Sequence, residues 1–207
     1  MTEWFRSLAE VPGLGYRGDP RARDTRLAGR NDKPRVVAYM IDGKRQESLQ
    51  WETADGAISS SPATRHAGPF GAKVQDQSID EQLQALAESL ELPGTPTDYH
   101  FVIQYGVDEL WKLRRRNLRF HPELERLCLL DLALVRARPS AIIFEHQGEQ
   151  KFARVLAFHH LLELYSQNGL LREAIAVAQL ERRLGQDVDG PIDMLEARWA
   201  QVKAEAE

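Results

Sequence analysis

Of 207 residues only Cys128 is a cysteine, so no disulfide can form within the chain, and the sequence reads as the product of a reducing compartment, the cytoplasm. Set among Leu127, Leu129 and Leu130, that thiol reads as a small buried apolar group on a helix rather than a reactive one. Long hydrophobic runs are also missing: nothing approaches the roughly 20 apolar residues of a membrane-spanning helix. The first residues, Met1-Thr2-Glu3-Trp4-Phe5-Arg6, hold acid where a signal peptide needs an apolar core. No membrane partner is therefore expected. Charge of one sign is not in excess, since 27 Lys and Arg stand against 31 Asp and Glu, and a net charge of -4 selects no class of partner. No Ser-His-Asp or Cys-His constellation and no paired metal-ligand spacing can be assembled from the sequence. We expect no catalytic residue, cofactor or metal.

What is present is punctuated by turn residues. A short helix is expected over 2–9, then Pro12, Gly13, Gly15, Gly18 and Pro20 predict a long loop over 10–33. The glycines of Gly13-Leu14-Gly15-Tyr16-Arg17-Gly18 have the spacing of a dinucleotide-binding loop. Pro12 before them and Asp19-Pro20 after them deny the strand and helix that such a loop needs. Val36 to Ile41 is a β-branched run, Asp42-Gly43 is a two-residue hairpin turn, and Arg45 to Trp51 is the returning strand. A second loop is expected over 55–77. Ser78-Ile79-Asp80-Glu81 is a capping box that opens a helix, which Pro93-Gly94 stops.

Tyr99 to Tyr105, with Phe101, Val102 and Ile103 at its centre, predicts a strand. Val107, Leu110, Trp111 and Leu118 predict a helix after it, and Pro122 falls in the first turn of the next, whose apolar face is Leu124, Leu127, Leu130 and Leu134. Ala141 to Glu145 reads as a short strand. Three helices near 150–167, 171–184 and 191–205 complete the chain, separated by Asn168-Gly169 and by Gly185 with Gly190-Pro191. The fold class is α+β, with a small antiparallel or mixed N-terminal sheet region over 1–145 and a helical region over 146–207. These form two domains or one continuous one.

Phe158, Leu161, Tyr165, Gly169, Leu171 and Ala174 are spaced as in the helical hairpin that the last region resembles, a tetratricopeptide-repeat unit. Ile192, Leu195 and Trp199 partly continue the register as a capping helix, whereas Ala178 and Glu181 depart from it. The resemblance implies an interaction or adaptor protein that contacts a protein partner, or a second copy of itself, through Phe158, Tyr165, Gly169, Ala174 and Trp199. A nucleic-acid reading rests on Lys112, Arg115, Arg116 and Arg119, which share one face if the helix continues through them. Arg114 then turns toward Val107 and Trp111. His159, His160 and Glu163 are helical neighbours without a second ligand cluster, which favours packing over metal binding. A third reading is an enzyme of unknown chemistry, with a site between Glu145-His146 and the 55–77 loop.

Overall fold

The computed structural model describes residues 31–41, 43–53, 56–58, 61–67, 78–115, 118, 120–146, 149–184 and 189–206. The helix expected at 2–9, residues 10–30 of the loop expected over 10–33, the glycine motif at 13–18, and Arg116 and Arg119 lie outside these residues, whereas Asn31, Asp32 and Lys33 of that loop belong to a strand. The architecture is α+β, a small antiparallel sheet followed by packed helices. Among the described residues no helix is long and apolar enough to cross a membrane. The chain divides into two compact units. Described residues up to Gly106, with Ala133–Ala153, make the first; Val107–Leu132 and the chain from Arg154 onward make the second.

In the first unit, strands β1 (Asn31–Ile41) and β2 (Lys44–Thr53) form the expected hairpin, pairing Val36 with Leu49 and Ile41 with Lys44. Gly43 takes a φ of +76°, which the tight turn requires and a side chain would oppose. The stretch expected as a loop holds two elements: β3 (Gly56–Ile58), which pairs with β2 through Trp51 and Ile58, and the short helix α1 (Pro62–Ala67). Leu49 and Trp51 are buried. Helix α2 (Ile79–Leu90) packs against α1 and opens on the capping box. The Ser78 amide donates to Glu81 Oε2 at 2.7 Å, and the Glu81 amide donates to Ser78 Oγ at 3.3 Å.

The predicted strand over Tyr99 to Tyr105 is a helix. Helix α3 runs Pro96–Leu113. Its start is a second capping box: the Asp98 carboxylate accepts from the Thr95 amide at 2.7 Å and the Thr95 hydroxyl at 2.6 Å, while the Asp98 amide donates back to Thr95 Oγ1 at 3.1 Å. Pro96 occupies the first turn, where its missing N–H costs nothing. Tyr99, Val102 and Ile103 are buried at helical spacing, whereas Phe101, which a strand would have centred, is 53% exposed. The Tyr99 hydroxyl donates to the Leu92 carbonyl at 2.6 Å, closing the Pro93-Gly94 bend. Helix α4 runs Phe120–Ala137. A 3-10 turn at Pro139–Ala141 then leads to a hairpin of β4 (Ile143–His146) and β5 (Glu149–Phe152).

Three helices end the second unit: α5 (Leu156–Gln167), α6 (Leu171–Arg183) and α7 (Asp189–Ala206). Helix α5 begins six residues after the expected 150 because Glu149–Phe152 belongs to β5. Phe158, Leu161 and Tyr165 of α5 are buried, as are Leu171, Ala174 and Ala178 of α6. Helix α6 packs against α5 and also against α7, which buries Ile192 and Leu195. Gly169, at φ +74°, turns the chain between α5 and α6. The Leu170 amide reaches back to the Tyr165 carbonyl at 2.9 Å, the bond of a left-handed helix cap.

Candidate functional site

The second unit carries two tryptophan-centred groups. Trp111, in the last turn of α3, has the His160 ring stacked on it, centroids 3.9 Å apart and planes inclined by 23°. The Arg114 guanidinium carbon lies 3.2 Å from the indole centroid. Two groups that close to one ring would overlap on the same side, so imidazole and guanidinium occupy opposite faces of the indole. Arg114 also donates to the Trp111 carbonyl at 2.6 Å and to Glu163 Oε1 at 3.0 Å. Gln167 donates to the same Glu163 oxygen at 2.9 Å, and His159 Nε2 stands 3.8 Å from the other. Arg114 thus turns where its sequence position predicts.

His160 is only 5% exposed, and among the described residues neither ring nitrogen has a hydrogen-bond partner. Burial above all, then the neighbouring His159 and Arg114, pushes its pKa down to about 4, so the ring is neutral at physiological pH. A neutral imidazole, an indole and a paired guanidinium in layers form a packed joint. Among the described residues no group of three or more His, Cys, Asp or Glu could hold a metal ion. Cys128 is buried in α4, and burial pushes its thiol pKa well up.

The basic segment differs from its expected form. Helix α3 stops at Leu113, so Arg115 lies in the following turn and does not extend a helical face begun by Lys112. Lys112 is held by Asp108 at 2.7 Å and Glu109 at 2.8 Å, both on its own helix. Arg115 is exposed.

Of the hairpin residues, Phe158, Tyr165 and Ala174 are buried and hold α5 to α6; Gly169 supplies the turn. The Tyr165 hydroxyl donates to Glu125 at 2.7 Å. Trp199 differs from them in being half-buried. The Arg172 guanidinium carbon lies 4.8 Å from its ring centroid and Lys203 Nζ 5.7 Å, an indole flanked by two cations. Lys203, four residues after Trp199, is visible as a helical neighbour in the sequence; Arg172 comes from α6 and could be found only in three dimensions. On the same helix Met194 and Val202 are exposed, and Leu170 is exposed beside the start of α6. No known protein family, curated protein or solved structure matches the chain.

Proposed function

We propose that this protein is a non-catalytic adaptor whose C-terminal helices bind a helical segment of a partner protein, in the manner of a tetratricopeptide-like unit. The observation that carries the reading is the composition of α7. Ile192 and Leu195 are buried, yet Met194 and Val202 stay exposed and Trp199 stays half-open. A helix that ends a domain is ordinarily polar outside, whereas a helix awaiting a neighbour keeps apolar groups there. The small buried Ala174 and the Gly169 turn are the features expected of such a hairpin, while Ala178, also buried, departs from its pattern. Arg172 and Lys203 beside Trp199 suit a partner helix that offers an apolar side chain to the indole and a carboxylate to the cations.

Less supports the nucleic-acid reading. Lys112 is already matched by two carboxylates, and both faces of Trp111 are covered, so that indole has no face on which a base could stack. The test is quantitative recovery of the tagged chain's partners after nuclease treatment, with wild type beside Trp199→Ala and Arg172→Glu. A protein that survives nuclease and is lost with both variants is the expected result. Partners that disappear with nuclease and are indifferent to both variants would overturn the adaptor reading.

A further inference from the structure

We propose that the His160 ring is an acid-released gate on Trp111: on protonation it swings off the indole into water and opens one face of that ring, while the helix that carries it stays in place. This rests on the second unit alone and is independent of the adaptor reading. The stack has no means of holding a charged imidazole. Both ring nitrogens are buried, and among the described residues neither has a hydrogen-bond partner, so an added proton would place two N–H donors where nothing accepts them. It would also set a second cation against an indole whose other face already carries the Arg114 guanidinium, 3.2 Å from its centroid. Arg114 is fixed there by the Trp111 carbonyl and by Glu163.

The charged groups that act on His160 are Asp108 of α3, Arg114 of the turn after it, and His159 and Glu163 of α5. Arg114 and His159 disfavour the imidazolium, whereas Asp108 and Glu163 favour it. Both carboxylates are already engaged, Asp108 by Lys112 and Glu163 by Arg114 and Gln167. Burial, the largest influence, keeps the pKa of the stacked ring at about 4, and in water an imidazole returns to about 6.5. Each pH unit between those values therefore favours the released ring about tenfold. Release need not unseat α5. Its buried face is made by Ala157, Phe158, Leu161, Leu164 and Tyr165, and His160 lies at one margin of that face, beside half-buried Glu163 and exposed His159. A change of χ1 carries the imidazole from that margin to solvent and leaves the apolar side chains seated.

The test is fluorine NMR of the whole chain grown with fluorotryptophan, in which each of the four tryptophans gives its own line and that of Trp111 is identified by its loss in Trp111→Phe. From pH 7 to pH 4 the Trp111 line is expected to shift, while those of buried Trp51 and of Trp199, which shares a unit with Trp111, hold still. The His160 ring signals of the same sample should titrate with the same midpoint, a check that needs no substitution. His160→Phe and His160→Gln should each abolish the shift, and His159→Gln should keep it. A Trp111 line that stays fixed until all four collapse together, one that moves only in step with Trp199, one that shifts equally in a folded His160→Phe or His160→Gln, or one that loses its shift in a folded His159→Gln would each overturn the proposal.

Discussion

His160 is held neutral by burial against an indole whose other face carries a cation, and this arrangement makes the stability of the protein depend on pH. The folded pKa of about 4 lies below the ordinary 6.5, so between those values the unfolded chain binds a proton that the folded chain refuses. The contribution is complete above about pH 6.5, declines as pH falls toward 4 and levels off below. Asp108 and Glu163 oppose the effect, while Arg114 and His159 reinforce it. The expected loss is roughly 1–3 kcal/mol over that window after allowance for solvent screening. Replacement by His160→Phe keeps a ring on Trp111 and removes the titration. Urea unfolding from pH 7 to pH 4 should show a flatter decline for the variant, even if the larger ring lowers its stability at neutral pH; parallel declines would mean that another group titrates. The turn of Arg114 toward Trp111 was legible from helical angles. The stacking of His160 was not, because it joins residues 49 apart in sequence.

Two glycines show how an element's boundary is set by different physics. Gly169 has φ +74° and nothing within 4 Å of a would-be Cβ, so Gly169→Ala meets no clash and costs only the left-handed backbone, about 1 kcal/mol. Gly94 needs no unusual backbone, but a Cβ there would sit 2.9 Å from the Ala63 Cβ and 3.1 Å from the Tyr99 ring. Gly94→Ala should therefore cost about 1–3 kcal/mol through overpacking. Thermal unfolding of both variants, with Gly169→Asn as a milder third, checks the order: Gly169→Asn least affected, then Gly169→Ala, then Gly94→Ala. The same scale explains what the sequence could tell. Ser78 with Glu81, Asp42-Gly43 and Asn168-Gly169 signal their elements locally, and the elements form there. Thr95-Pro96-Thr97-Asp98 carries an equally local start signal, but the β-branched and aromatic run after it has strand propensity, which tertiary burial of Tyr99, Val102 and Ile103 on one helical face overrides. The strand β5 has no such signal, since Glu149-Gln150-Lys151-Phe152 is polar and gains its state by pairing with β4.

At the scale of the whole molecule, each unit keeps a core of its own and each leaves apolar groups open, Val36 and Met40 on β1 and Met194 and Val202 on α7. A net charge of -4 on 207 residues supplies little long-range steering, so recognition would rest on contact chemistry at such places. The most direct measurement places a photo-cross-linking amino acid at Met194 or at Val202 in the cell, with Leu129, an exposed residue of α4, as the control. Adducts at both α7 positions that map to one amphipathic helix of a single protein, with none at Leu129, are the expected result. Adducts at no position, or equally at Leu129, would contradict binding through the C-terminal helices.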